Sequence, residues 1–365
     1  MASLVPPPID ATTINELDFS ANTHKTSIFH WDAMPTVALN FLLNTPCVYT
    51  GDYLDARILL DSSDPSTMVR EFVAEIRCVG RCGWINIHTD KIYETDREYF
   101  QTAVPLCPYG KSIEPGRSHQ FPLRVKIPEN LPSSYESQFG AIRYTVRVIL
   151  LTNSEQATAV EIFPFHVVAS STFDEIPAAV LQPIDYKDEI DFTVCSLPFG
   201  TIYLKIILSR SGYCLGETIT PLIHIRNSSR KALTDCSVQL VLKTQFTATS
   251  RYEHVNDKKV VEERLDCVPL GRIKGRSEMT FNSLRLRIPA NTIPSTSTRD
   301  PDLNSIIIAT YVFQFNATPG IETEIPLIIT ALGSRNQSNM LTSHEPVYKA
   351  QAPFQQNRDG SVHYL

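Results

Sequence analysis

The chain has no stretch of 18 apolar residues, so no segment of it is long and apolar enough to cross a bilayer as a helix. Its first residues lack a basic stretch followed by an apolar one, and no secretory leader is expected. The expected setting is therefore the cytoplasm. Basic charge is not in excess either: 33 Lys and Arg stand against 39 Asp and Glu, a net charge of −6. That balance supplies no global attraction for nucleic acid, and none is expected as a partner. Catalytic signatures are missing in the same way. There is no G-x-S-x-G, H-E-x-x-H, G-x-x-x-x-G-K-[ST] or G-x-G-x-x-G, and no two of the nine histidines fall within four residues of each other. No cofactor and no metal are expected, and a binding protein is favoured over an enzyme, although a triad drawn from distant residues stays open at this level.

Cysteine is present but not patterned. The eight are Cys47, Cys78, Cys82, Cys107, Cys195, Cys214, Cys236 and Cys267. In a reducing compartment they are expected as free thiols. Cys78 and Cys82 are the closest pair, one residue too far apart for a C-x-x-C redox or zinc knuckle, and no second pair accompanies them. On an alternating strand both would face one side, where buried thiols behave as small apolar groups. A thiol-redox role is the alternative from a different functional class. The sequons at Asn227, Asn316 and Asn336 would meet no glycosylation machinery in the cytoplasm.

What the chain does have is a repeat. A Gly-acid pair opens an apolar-rich run at Gly51-Asp52 and again at Gly216-Glu217, an offset of 216 − 51 = 165. Val104-Pro105-Leu106 returns as Val268-Pro269-Leu270, 164 residues later. Two alternating segments end in Ile-Pro at Ile127 and Ile288, 288 − 127 = 161, and the strand-like runs around Tyr144 and Tyr311 differ by 311 − 144 = 167. Four landmarks in one order at nearly constant offset mean two copies of a whole domain, since the period is too long for a solenoid unit.

Each copy reads as antiparallel β. Ile142, Tyr144, Val146 and Val148 alternate with Ala141, Arg143, Thr145 and Arg147, and Phe121, Leu123, Val125 and Ile127 do the same against Arg124 and Lys126. Such a period of two leaves one face for a core and one for water. Turn signals such as Glu114-Pro-Gly116, Asn227-Ser-Ser229 and Thr318-Pro-Gly320 separate the runs. The fold class is therefore all-β, two tandem sandwiches of immunoglobulin type with flexible N- and C-terminal tails. One segment, residues 91–101, allows a short helix with Ile92, Tyr99 and Phe100 on a shared face. The expected organisation is a flexible extension at 1–35, a first sandwich at 36–172, a connector at 173–190, a second sandwich at 191–333 and a tail at 334–365 poor in apolar periodicity.

The landmarks also have a wording. Gly116-Arg-Ser-His119-Gln-Phe121-Pro-Leu123, then Leu131-Pro-Ser-Ser-Tyr135-Glu136, then Gly140-Ala-Ile-Arg-Tyr144, resembles the N-terminal signature of the α-arrestins, the arrestin-domain-containing proteins. Arg210-Ser-Gly-Tyr213-Cys-Leu-Gly216-Glu217 and Ile225-Arg-Asn227-Ser-Ser229 resemble the opening of that family's C-terminal domain. The resemblance spans about residues 37–333. It implies two facing arrestin-like sandwiches acting as an adaptor for cytoplasmic segments of membrane proteins, with recruitment to the plasma membrane and endosomes and peripheral membrane association. A sorting-coat subunit resembling the arrestin-like component of retromer is the alternative reading. Departures are evident: Leu151-Thr-Asn-Ser154 stands where the family carries R-P-W, and Leu215 replaces the Pro before Gly216.

Two candidate partner sites follow. Arg124, Lys126, Arg143 and Arg147 fall on the polar faces of two successive strands, a candidate basic patch for acidic cargo or anionic headgroups. In the tail, Glu345-Pro346-Val347-Tyr348 is a degenerate form of the family's P-P-x-Y motif, through which Pro346 and Tyr348 would contact a WW-domain ubiquitin ligase.

Overall fold

The computed structural model describes residues 37–63, 68–153, 158–172, 178, 182–194, 197–296 and 305–331. The two expected tails, with Pro346 and Tyr348, lie outside the described residues. No α-helix occurs among the described residues. The first unit contains β1 (Val37–Leu43), β2 (Val48–Tyr49), β3 (Tyr53–Ser62), β4 (Val69–Asn86), β5 (Lys91–Pro105), β6 (Ser118–Lys126), β7 (Tyr135–Ser137), β8 (Gly140–Thr152), β9 (Ala159–Phe165) and β10 (Val167–Val168). The second contains β11 (Ile184–Val194), β12 (Leu197–Leu208), β13 (Gly212–Cys214), β14 (Thr218–Ile219), β15 (Leu222–Asn227), β16 (Leu233–Ser250), β17 (Asn256–Ile273), β18 (Ser277–Phe281), β19 (Leu286–Arg287), β20 (Ile307–Thr318) and β21 (Ile321–Thr330).

Each unit is a sandwich whose inner faces are the apolar positions of the alternation. In the first, β1, β3 and β6 form one layer and β5, β4 and β8 the other, with β7 and β9 along β8. Leu54, Ile58 and Leu123 meet Ile76, Tyr144 and Val146 in a core where all six are essentially solvent-free. In the second, β11, β12, β15 and β18 face the layer of β17, β16, β20 and β21, around Leu204, Ile206, Ile225, Leu240, Tyr311 and Phe313. Burying an aliphatic or aromatic side chain of this kind contributes about 1.5–3 kcal/mol.

The repeated landmarks turn out to be one another's partners. Gly51 and Gly216 both sit at positive φ, 88° and 83°, a conformation that costs glycine nothing and a side-chain-bearing residue dearly. The acid after each glycine offers its carbonyl to the Ile of Ile-Pro: the Ile127 amide donates to Asp52 and the Ile288 amide to Glu217, each at 2.9 Å. Five residues beyond each Ile, a loop carbonyl receives a buried tyrosine hydroxyl, Tyr144 donating to Pro132 and Tyr311 to Ile293. Ser134 and Ser295 complete the match. Each donates its amide to a late strand (Val167, Ile329) and accepts that residue's amide on its side-chain oxygen.

Two expectations change. Residues 91–101 are not helical but form most of β5, paired along β4 from Asn86↔Lys91 to Val73↔Pro105. The neighbouring Tyr99 and Phe100 that suggested a helix face sit at a bulge: Cys78 opposes Phe100 and Val79 opposes Glu98, leaving Tyr99 as the extra residue. A bulge lets two consecutive side chains turn toward the core side, and both pack against the first core. Residues 184–190, expected in the connector, begin β11. Ile184, Tyr186 and Ile190 pack on the second core.

Candidate functional site

The two sandwiches are not beads on a string. Where β16 runs past the end of its own unit it pairs with β5, Thr249 opposite Glu94 and Ser250 opposite Tyr93, so a single ten-stranded sheet passes from one unit into the other. Phe246 of β16 is fully buried beside Phe139 and Tyr135, with ring centroids 6.0 and 6.2 Å away, and Ala248, Ile306 and Ile307 join the same first-unit core. Polar contacts stitch the seam: Cys82 Sγ donates to the Ile306 carbonyl at 3.5 Å, the Ile306 amide to the Tyr99 hydroxyl oxygen at 3.2 Å, and the Tyr135 hydroxyl to Thr244 Oγ1 at 3.2 Å. Lys259 Nζ lies 3.7 Å from the Phe139 ring centroid.

At the end of this seam two hairpin tips, one from each unit, are clamped together. The Arg251 amide donates to the Ile92 carbonyl at 3.0 Å, and its guanidinium holds Glu94 through two bonds of 2.9 and 2.7 Å. Lys91 Nζ reaches Glu253 at 2.7 Å. Hydrogen bonds to these carboxylates push both cations above their ordinary pKa. The β4–β5 tip is closed by Asn86, whose side-chain oxygen accepts the His88 amide and whose carbonyl accepts that of Thr89. Its partner is closed by the Ser250 amide donating to Val255 and by His254 at φ 55°.

The clamped tips also carry exposed large apolar side chains. Ile87 is 81% exposed, Tyr252 70%, Val255 57% and Ile85 39%. Large apolar side chains scattered singly on a surface are ordinary; here Ile87, Tyr252 and Val255 lie in the two joined turns and Ile85 on β4 just before the first. This crest shares its two tips with the Lys91–Glu253 and Arg251–Glu94 ion pairs.

The arginines and lysine singled out in the sequence do not form one patch. Arg124 and Lys126 lie on β6 and Arg143 and Arg147 on β8, strands in opposite layers of the sandwich, so their polar faces look away from each other. Arg124 leans over the Tyr53 ring and pairs with Asp55 at 3.5 Å. Arg143 holds Glu136 at 2.6 and 3.0 Å, and Arg147 meets Glu75 at 3.2 Å. Half-exposed pairs of this kind contribute at most about 1 kcal/mol each. The crest was missed because its members stand about 165 residues apart and no periodicity marks them. A signal existed in the turns themselves, where Ile87 and Tyr252 interrupt polar loop composition.

Thiolate chemistry at Cys78 and Cys82 is disfavoured by their surroundings. Burial pushes Cys78 and Cys82 up to about 12, so both stay protonated at neutral pH, the opposite of a catalytic thiolate. Among the described residues, no three His, Cys, Asp or Glu side chains converge to hold a metal ion. His224 is tied to Thr280 Oγ1 at 2.9 Å and Glu278 at 3.2 Å.

Comparison with known proteins agrees with this architecture. Residues 39–172 match the arrestin (or S-antigen) N-terminal domain and residues 198–333 the arrestin C-terminal domain. The chain is 48% identical over 302 residues to arrestin domain-containing protein 15 of Caenorhabditis elegans, covering 82% of this chain and 80% of that protein. It is 25% identical over 312 residues to human arrestin domain-containing protein 4, covering 80% and 71% of the two. With human arrestin domain-containing protein 1 it shares 24% identity over 173 residues, 47% of this chain and 39% of the relative.

Proposed function

The chain belongs to the arrestin family, and on that premise we propose that it is a non-enzymatic cytoplasmic adaptor that grips cytoplasmic segments of membrane proteins and routes them through endocytic and endosomal traffic. The observation that carries this reading is the crest, where hairpins from both units present Ile85, Ile87, Tyr252 and Val255. A groove or tip that draws on two domains at once binds only while both hold their relative position, and the shared sheet supplies that rigidity. Apolar anchors surrounded by satisfied charges are what a protein-binding hot spot requires. The tail motif at Pro346 and Tyr348 would add a WW-domain ubiquitin ligase as a second partner.

Proximity labelling in cells tests it. Wild-type protein should label a set of membrane proteins, and Ile87→Asp combined with Tyr252→Asp should remove most of that set while the purified variant melts as wild type does. An unchanged set would sink the crest as the cargo site. A version ending at Gly333 should keep the membrane proteins and lose any ubiquitin ligase.

A further inference from the structure

In the first unit's layer of β5, β4, β8 and β9, the face turned away from the core is polar along part of its length and apolar at one end. The residues of β8 on that face run Arg143, Thr145 and Arg147, then Ile149 and Leu151. Ile149 stands opposite Val160 of β9 on one side and Val73 of β4 on the other, and Val73 stands opposite Pro105 of β5. Directly paired residues share a face, so these four apolar side chains form a row across four neighbouring strands. Two residues along β9, Ile162 lies beside Arg147. Val160 is 46% exposed and Ile162 55%. An antiparallel sheet with one wet face ordinarily keeps that face polar, and an apolar row on it marks a contact surface.

The chain enters β1 at the same end of the sandwich. Val37 opposes Ser62, the last residue of β3, and β4 begins soon after at Val69. Because β1 runs antiparallel to β3, and β9 runs parallel to β4 through β8, both β1 and β9 start where β3 gives way to β4. Further along, Phe41 stacks on Phe163 with ring centroids 5.6 Å apart, and four residues back along each strand stand Val37 and Ala159, the neighbour of Val160. Ahead of Val37, outside the described residues, the sequence is polar for most of its length but carries Ile28-Phe29-His30-Trp31. Trp31 is 37 − 31 = 6 residues from Val37 and Ile28 is 37 − 28 = 9, so an extended chain reaches about 20 to 30 Å. The layers of a sandwich lie about 10 Å apart. The reach exceeds the span to be crossed.

We propose that Ile28, Phe29 and Trp31 fold back over this row, so that the segment ahead of β1 is the built-in occupant of the first unit's outer face. Tethering makes a small contact sufficient. A segment joined to its site by a few residues is held there at about millimolar effective concentration, which sustains a contact too weak to form between separate molecules. The crest does not compete for it. Val73 lies near the start of β4 and Ile85 near its end, 85 − 73 = 12 residues or about 40 Å along the strand, beyond the reach of the segment. The assignment goes beyond the adaptor reading and does not depend on it, because the contact lies within one chain.

Trp31 reports its own position. The chain's other tryptophan, Trp84, is buried against the Tyr93 ring, so Trp84→Phe in the full chain leaves Trp31 as the sole indole. Its emission should be blue-shifted and shielded from acrylamide relative to the same protein in urea, and unchanged on dilution. Val160→Asp with Ile162→Asp should shift that emission to the red and raise quenching to the level of the unfolded chain. Ile87→Asp with Tyr252→Asp on the crest should leave both as they are. A second measurement keeps the test decisive if any of these variants melts early. Ile28→Ser, Phe29→Ser and Trp31→Ser together in the otherwise native chain should raise the binding of an apolar dye, and adding Val160→Ser with Ile162→Ser should return it to the wild-type level. The proposal is overturned if Trp31 emits as it does in urea, if its emission ignores the changes at Val160 and Ile162, or if the serine triple binds no more dye than wild type. It is equally overturned if the shielding is lost on dilution, since a second copy would then be the occupant.

Discussion

In the first sandwich Arg124, Arg143 and Arg147 each have a carboxylate across the sheet, whereas in the second Lys231 and Lys274, whose carbonyls Asn227 holds, have none among the described residues. The contrast is sharper because the two units are built on the same internal bonds. Ile127 with Asp52 and Ile288 with Glu217, Tyr144 with Pro132 and Tyr311 with Ile293, Ser134 with Val167 and Ser295 with Ile329 are the same contacts made twice. A buried backbone donor or carbonyl left without a partner costs about 1–3 kcal/mol, so such positions tolerate little change. Surface charge carries no comparable penalty. The two copies therefore agree inside and diverge outside, and function is to be sought where they diverge.

The largest expected effect tests whether the units are separable at all. Phe246→Ala, which removes a ring that the second unit buries in the first unit's core, should cost about 3–5 kcal/mol of stability and lower the urea midpoint of both units together. Two resolved transitions in the wild type, only one of them moved by the substitution, would break the picture of a shared core. Tyr144→Phe and Tyr311→Phe sharpen the claim of equivalence. Each leaves a loop carbonyl without its donor and should cost about 1–3 kcal/mol, with similar values in the two units when measured by chemical denaturation. A neutral result at one tyrosine would mean that the internal match is geometric and not energetic.

The smallest effect is a pH dependence seated at one histidine of the first unit. Burial holds His166 below the ordinary imidazole pKa. The unfolded chain then takes up a proton at about pH 6.5 while the folded chain does not, so stability falls as pH drops below that value and is fully present above it. His166→Gln should flatten the decline in melting temperature between neutral pH and pH 5, leaving the neutral-pH value within a few degrees of wild type. If the slope is unchanged, other groups carry the acid sensitivity.

Much of the frame was legible from residue order. Alternation at Phe121–Ile127 and at Ile142–Val148 places the buried and exposed faces as they are found, because the period of a strand is local and needs no knowledge of its partner. The internal repeat announced two domains for the same reason. The helix expected at residues 91–101 failed where locality fails: Tyr99 and Phe100 are neighbours in sequence, and only the unequal count on β4 reveals that Tyr99 is the extra residue of a bulge.

The candidate sites show the same division more strongly. Sequence named Arg124, Lys126, Arg143 and Arg147 by strand position, but which layer a strand joins depends on pairing across tens of residues, and the fold sends β6 and β8 to opposite layers. The crest and the apolar row were hidden for the complementary reason. Each joins residues separated along the chain, Ile87 to Tyr252 through the β5–β16 pairing and Val73 to Val160 through β8. The sequence by itself determined strands, faces and the doubling of the domain, since these rest on side-chain alternation and turn chemistry within a few residues. Tertiary structure alone decided which charges are neutralised and which apolar turns meet, since those are set by hydrogen bonds and packing between residues that the chain brings together only when it folds.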